Sequence, residues 1–194
     1  MKERVGVPEF EVDPSETPRA GKLAELILYV AKRCEDDERF GTTKLTRILF
    51  YSDFLAYALD GVSVTDHPYR RMAWGPAPKS FRQVRERMEE RGDLAIQRRR
   101  YFDKEQERPI ALRDPDLGGF SGRQIAIVDD VIDRLRGEDA SEASELSRRF
   151  EGWELVEEGE DIPYETVFVS TRPLTESEKE YGRTLAAEEL DGGR

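Results

Sequence analysis

One segment of the sequence is apolar on nearly every side of a helix: KLTRILFYSDFLAYALDG, from Lys44 to Gly61. One helical face carries Leu45, Ile48, Leu49, Ser52, Leu55 and Leu59, and a second carries Phe50, Phe54 and Tyr57. A helix with apolar residues all round is buried inside its domain. The segment therefore predicts a central helix, capped by Thr42 or Thr43 and ended by Gly61.

Asp53 places a carboxyl group in the middle of this apolar helix. A buried charge without a partner costs several kcal/mol or more. We therefore expect Asp53 to be hydrogen-bonded inside the fold, to backbone amides near the stiff turn that begins at Arg70 or to a basic side chain. A catalytic acid is the alternative role.

Helical spacing of apolar residues predicts four further helices. The first begins near Ala20 and carries Cys34 on its apolar stripe; the third runs from Pro78 to Arg91. The fourth lies in SGRQIAIVDDVIDRLRG, and the fifth lies in SEASELSRRF with Ser141 as its cap.

Alternating apolar residues flank a charged turn, from Asp103 to Arg108, and predict a β-hairpin over residues 93–113. The fold class is therefore mainly α: a compact bundle of about five or six helices with one β-hairpin and a winged-helix-like outline. Residues 1–19 hold three prolines and predict an extended or disordered arm, 20–170 the domain, and 171–194 a polar C-terminal helix and tail.

The amino-acid composition limits the kinds of disulfide, metal and cofactor site that the chain can form. Cys34 is the only cysteine and His67 the only histidine, which excludes a disulfide framework, disfavours zinc and leaves a carboxylate-only magnesium site open. We expect no cofactor, a buried Cys34 and a solvated His67 in a loop. Apolar runs are too short to span a bilayer and no secretory leader opens the sequence, so we expect a cytoplasmic protein.

Charge is distributed unevenly. The net charge is −11, yet the residues from Asp66 to Arg100 include ten basic and five acidic side chains. This segment carries +5 and the remainder −16. The excess of negative charge disfavours non-specific binding of the whole molecule to nucleic acid.

A stiff turn, which we call the elbow, spans Arg70–Pro78 and reads RRMAWGPAP. Proline fixes φ and glycine permits a tight turn. We expect Trp74 to pack on the central helix near Asp53, and Trp153 to be largely buried. The elbow either positions the third helix alone or also displays Arg70, Arg71 and that helix to a partner.

Several landmarks follow one another in a fixed order: KLTRILFYSDF, WGPAP, the hairpin, SELSRRFEGW and IPYE. This ordered set resembles the SocA-like antitoxin family, also called the Panacea domain, over about Lys22 to Ser170. Family members usually read Lys-Leu-Gln-Lys-Leu-Leu-Tyr in the central helix, where Thr46 and Arg47 stand here. The resemblance implies a helical domain that neutralises a protein toxin, usually from the neighbouring gene. At least one member delivers its toxin to an ATP-dependent protease.

We therefore expect an antitoxin and not an enzyme, because no suitable base accompanies Ser144 or Ser147. The alternative is a winged-helix-like nucleic-acid-binding regulator that uses the third helix, although Glu86, Glu89 and Glu90 stand beside its arginines. We expect a toxin, with a protease as further partner, and no membrane. The candidate partner-binding or family-motif residues are Lys44, Asp53, Arg70, Arg71, Trp74, Gly75, Pro76, Pro78, Arg82, Arg85 and Trp153.

Overall fold

A computed structural model describes residues 17–101, 104–169, 175–177 and 180. These residues form six α-helices: α1 Pro18–Arg33, α2 Thr42–Asp60, α3 Phe81–Glu90, α4 Gly122–Leu135, α5 Ala140–Arg148 and α6 Glu151–Glu154. The strands are β1 Tyr69–Arg70, β2 Ala77–Pro78, β3 Leu94–Tyr101, β4 Lys104–Ala111 and β5 Asp161–Ile162, followed by a 3-10 helix, Tyr164–Phe168. The predicted mainly α fold with one long hairpin is confirmed.

Helix α2 is the central helix, as its sequence predicts. It packs against α1, α4, α5, the hairpin strand β4 and the 3-10 helix. Gly41 is its N-cap and makes no side-chain capping bond, so the predicted cap by Thr42 or Thr43 is wrong; the Thr42 hydroxyl instead donates to the Glu107 carbonyl at 3.2 Å. Gly61 ends the helix with a φ of +70°, as expected.

Helix α1 begins at Pro18, before the expected start near Ala20, because the Thr17 hydroxyl accepts a bond from the Ala20 amide at 3.1 Å and proline suits the first turn. The rest of the predicted arm, residues 1–16, lies outside the described residues. The predicted C-terminal helix over 171–194 also lies almost wholly outside them. Cys34 is buried as expected, and burial raises the pKa of its thiol to about 12.

Helix α3 begins at Phe81 and not at Pro78. Pro78 belongs to β2, where it pairs with Tyr69, because the chain first forms a small antiparallel sheet in the order β2-β1-β5. The hairpin pairs Leu94 with Ala111 and confirms the predicted bounds of 93–113. The predicted charged turn is mostly strand β4.

Helix α5 is capped by Asp139 and not by Ser141. The Asp139 carboxylate accepts bonds from the amides of Ser141 and Glu142, and the Glu142 side chain completes a capping box. Helix α4, whose apolar face is buried as predicted, starts with a capping box between Ser121 and Gln124. Within the described ranges no helix combines the length and apolarity needed to cross a bilayer.

The loop between α1 and α2 is held by a buried cation from the hairpin. The Arg108 guanidinium, on β4, donates to the carbonyl oxygens of Asp37 at 2.6 Å and Cys34 at 3.2 Å, and also to that of Glu35. Hydrogen bonds from a charged donor are stronger than those between neutral groups, and here they add to the backbone bonds that the carbonyls of Cys34 and Asp37 accept from the amides of Asp37 and Phe40. The hairpin therefore fixes the turn between the two longest helices.

Candidate partner-binding site

The elbow is fastened to α2 by Arg47. This side chain is buried, and its guanidinium donates to the carbonyl oxygens of Trp74 and Pro76 and to the Ser144 hydroxyl at 3.4 Å. Burial lowers the pKa of Arg47 to about 10. Carbonyl dipoles thus hold a buried cation, and the cation in turn fixes the backbone of the elbow.

Gly75, between Trp74 and Pro76, has a backbone conformation that favours glycine. Its φ is +113°, a region that side-chain-bearing residues rarely adopt. A Cβ atom at this position would lie 2.7 Å from Nη2 of Arg47 and 2.8 Å from Oγ of Ser147 on α5. The sequence-based expectation of a glycine-dependent turn at this position agrees with this geometry.

Trp74 lies on the outside of the elbow, contrary to the expectation that it packs on α2. It is 77% exposed, and Met72 beside it is also exposed. The physical reason is that the Trp74 carbonyl, and not the indole, faces α2, where Arg47 and the serines of α5 fill the space. The elbow therefore presents a large apolar ring to solvent on a fixed backbone.

Arg71 turns inward. Its guanidinium lies over the Trp153 ring, 4.0 Å from the centroid, and donates to the Val156 carbonyl. Trp153 is partly buried at the edge of an aromatic cluster that includes Phe50 and Tyr69. This residue pair therefore fixes the segment after α5 against the elbow. Arg70 is only partly exposed and faces Asp161 at 3.4 Å.

The two arginines of α3 that we singled out are both paired. Arg82 is exposed and bonds Glu86 at 2.8 Å. Arg85 is mostly buried and contacts Glu107 on β4 at 3.0 Å and Glu89 at 3.2 Å. Arg85 thus ties α3 to the hairpin, and these ion pairs support the sequence argument against a nucleic-acid reading of this helix.

Asp53 is fully buried and hydrogen-bonded, as expected, to a backbone amide and also to two hydroxyl groups that were not predicted. Its carboxylate accepts from the Thr65 amide at 2.6 Å, the Thr65 hydroxyl at 2.5 Å and the Tyr69 hydroxyl at 2.7 Å. These groups all precede the elbow, and none of them is basic. Burial raises the pKa of Asp53 to about 6.

Lys44 and His67 are buried as well. The Lys44 ammonium donates to the Asp37 carboxylate at 2.7 Å and to the carbonyls of Arg136 and Glu138 at 3.1 and 2.8 Å, so it joins two loops. The expectation of a solvated His67 is wrong: Nε2 of its ring contacts the Lys79 carbonyl, and burial lowers the pKa of the ring. Both residues position the fold and do not present a surface.

The family model described as antitoxin SocA-like, Panacea domain, matches residues 45–154, more than half of the chain. The chain belongs to the SocA-like antitoxin family. The matched region contains most of α2, together with the elbow, the hairpin and Trp153. No curated protein and no solved structure matches the chain.

Arg47, the residue that holds the elbow of this SocA-like domain, was not among the predicted site residues. It was noted only as a departure from the usual family pattern. A positive charge on an apolar helix needs buried partners, as the carboxylate of Asp53 does, and this was the feature that could have identified Arg47. Ser147, Thr65 and Tyr69 gave no such signal. Among the described residues, no group of three or more histidine, cysteine or acidic residues is placed to hold a metal ion.

Replacing Asp53 by asparagine tests its protonation. Because the folded-state pKa of about 6 lies above the ordinary value of 3.8, Asp53 stabilises the fold below pH 3.8, and this contribution is lost as the pH rises through 6. Asparagine does not titrate, and the hydroxyls of Thr65 and Tyr69 can accept from its amide. Between pH 4 and pH 7 we expect the free energy of unfolding of wild type to fall by about 2 kcal/mol relative to Asp53→Asn.

The measurement is chemical denaturation of both proteins at several pH values. His67 acts in the opposite sense, because a lowered histidine pKa costs stability as the pH falls, but both proteins retain His67 and its effect cancels. A difference between the two proteins that does not change with pH would contradict the assignment.

Proposed function

We propose that this SocA-like domain is an antitoxin that neutralises a cognate protein toxin, encoded by a neighbouring gene, through direct and stoichiometric binding in the cytoplasm. The observation that carries the proposal is Trp74. Its indole is exposed on an elbow whose backbone is fixed by Arg47, within the region that defines the family.

An exposed tryptophan on a fixed loop is suited to binding a protein. Tryptophan is enriched among the few residues that supply most of the free energy of protein association. A large apolar ring contributes through the area it removes from water on binding. Since the elbow is already ordered, binding loses little conformational entropy. The elbow thus supports recognition without catalysis.

Neutralisation should follow simple stoichiometry. We expect the purified chain, titrated against the protein of the neighbouring gene, to abolish toxicity in a cell-free translation or growth assay at about one equivalent, and the two proteins to co-purify. Binding without turnover requires one antitoxin for each inhibited toxin. Full protection by far less than one equivalent, without any protease present, would indicate catalysis and contradict the proposal.

We propose proteolysis as a second step, in which the domain delivers the toxin to an ATP-dependent protease. The same titration with and without a purified protease and ATP separates the two roles. A neutralising adaptor lowers the number of antitoxin equivalents needed for protection only when protease and ATP are both present. A pure binder requires the same number of equivalents with and without them.

A further inference from the structure

The segment that leads from the end of α6 to β5, residues 154–160, lies beside the exposed elbow. It contains no basic residue, and its acidic residues are Glu154, Glu157, Glu158 and Glu160. All four of these residues are exposed. We call this segment the acidic loop.

Arg71 joins the acidic loop to the elbow. Its amide donates to the Glu160 carbonyl at 2.8 Å, and its carbonyl accepts from the Gly159 amide at the same distance. Its guanidinium also donates to the Val156 carbonyl. Met72 is the next residue of the elbow and is 46% exposed, so the acidic loop lies directly beside the exposed part of the elbow.

The acidic loop forms a closed turn of its own. The Glu157 amide donates to a carboxylate oxygen of Glu160 at 2.9 Å, and the Glu160 amide donates to the Glu157 carbonyl at 3.1 Å. Gly159 supplies a positive φ of +88° within this turn. Because the backbone of the loop is already ordered, a partner that binds it loses little of the binding free energy to ordering.

The basic side chains of residues 69–80 all have partners inside the fold. Arg70 and Lys79 both face the Asp161 carboxylate, at 3.4 and 2.8 Å. Arg71 points inward, as described above. None of these three cations neutralises a side chain of the acidic loop.

The unpaired charges of this surface are negative. The carboxylates of Glu154, Glu157 and Glu158 have no hydrogen-bond or ion-pair partner within the described part of the chain. Residues 69–80 and 154–162 together hold three basic and five acidic side chains, so the local formal charge is −2. Opposite charges steer two proteins together, and like charges disfavour the wrong partner. The surface therefore favours a partner whose positive charge faces the acidic loop.

The acidic loop and α5 contact different ends of the elbow. The loop is bonded to Arg71, whereas a Cβ atom at Gly75 would meet Oγ of Ser147 on α5. Burial and the nearby charge of Arg148 on α5 both lower the pKa of Arg47. The negative charge therefore lies at the Arg71 end of the elbow, and this fixes where the basic residues of a partner must lie.

We propose that the elbow and the acidic loop form one binding surface, which takes a region of the toxin that has an apolar pocket for Trp74 and lysine or arginine side chains facing Glu157 and Glu158. This inference rests on the proposed function and assigns the chemistry of the toxin surface. Trp74 is the apolar anchor, and the carboxylates form part of the polar rim around it.

Removing charge from the acidic loop tests the inference. The loop variant, Glu157→Gln with Glu158→Gln, removes two unpaired carboxylates. The control, Glu35→Gln with Asp36→Asn, removes two unpaired carboxylates from the loop between α1 and α2, so both variants change the net charge equally. All four residues are exposed, so the melting temperatures should stay close to wild type.

Surface plasmon resonance with the purified protein of the neighbouring gene measures both rate constants. Charges at the rim of an interface act mainly on association, and salt screens them. At about 20 mM salt we expect the loop variant to associate about fivefold more slowly than wild type, and at about 1 M salt the two to associate equally. The control should associate as wild type does. Equal association rates of the loop variant and the control at low salt would overturn the inference.

A second copy of the chain is the competing occupant of this surface. Two acidic loops would bring like charges together, which disfavours such a dimer. A concentration-dependent dimer in sedimentation that Trp74→Ala abolishes and Leu112→Ala retains would assign the surface to a second copy and overturn the inference.

The behaviour of wild type separates this inference from the proposed function. If wild type binds and neutralises the neighbouring toxin while the loop variant associates as fast as wild type, the inference fails and the proposed function stands. If wild type itself neither binds nor neutralises that protein, the proposed function fails and the inference fails with it. Slower association of the loop variant alone supports both.

Discussion

Replacing Trp74 by alanine is expected to weaken toxin binding by roughly 30- to 700-fold, or about 2–4 kcal/mol, the range found for central tryptophans of protein interfaces. The free energy of unfolding should change by less than about 0.5 kcal/mol, because the ring is 77% exposed and the contact to Arg47 is made by the backbone. Calorimetric titration with the toxin measures the first quantity, and chemical denaturation the second.

The control for this variant is Leu112→Ala, which also shortens an exposed apolar side chain but lies at the end of the hairpin. It should leave both quantities unchanged. If Trp74→Ala binds and neutralises the toxin as well as wild type does, the elbow is not the contact, and the proposed function would have to rest on another surface.

Replacing Gly75 by valine is expected to lower the free energy of unfolding by about 4–8 kcal/mol, the sum of two costs. A β-branched residue resists a positive φ, which costs about 1–3 kcal/mol. The new Cβ also displaces Arg47 and Ser147, and a buried cation that loses its partners costs about 3–5 kcal/mol. Since domains are stable by only about 5–15 kcal/mol, much of the variant should be unfolded at 37 °C.

The variant Gly61→Val separates the free-energy cost of the positive φ from the cost of displacing Arg47 and Ser147. Gly61 also has a positive φ, +70°, but a Cβ there meets no atom within 4 Å. It should therefore carry the backbone cost alone and retain toxin binding. Urea denaturation of both variants gives the comparison, and an equal loss of stability in the two would show that the contact with Arg47 does not hold the elbow.

The sequence predicted the parts of the fold that depend on local pattern. Helices α1 and α4 and the hairpin were predicted because apolar spacing of 3.6 and 2 residues is set by burial of one face, and α2 because apolar residues on nearly every side indicate a central helix. The hydrogen-bonded state of Asp53 was predicted for a similar reason, since no carboxyl group can lie inside an apolar helix without partners. Its partners, however, depend on the path of the next loop.

The orientation of Trp74 at the elbow could not be predicted from local pattern. Whether the ring or the carbonyl of Trp74 faces α2 depends on Arg47, which lies 27 residues earlier, and on α5, which follows about 70 residues later. Pro78 was equally consistent with a helix start and a strand, and only the pairing with Tyr69 decides for the strand. Such contacts between distant residues leave no local pattern in a single sequence.

The contact of Arg108 with the α1–α2 loop can form only after more than half of the chain has been synthesised. Asp37 is synthesised 71 residues before Arg108, whose guanidinium donates a hydrogen bond to the Asp37 carbonyl. Helices can form within nanoseconds to microseconds, but contacts between distant residues wait for the loop between them to close. A nascent chain shorter than 108 residues therefore lacks this contact, and its α1–α2 turn has only local bonds, such as those that Asp37 makes with Lys44 and Phe40. Incomplete copies should be cleaved by cellular proteases sooner than complete ones, which removes fragments that carry the elbow and Arg47 without α5 and β5.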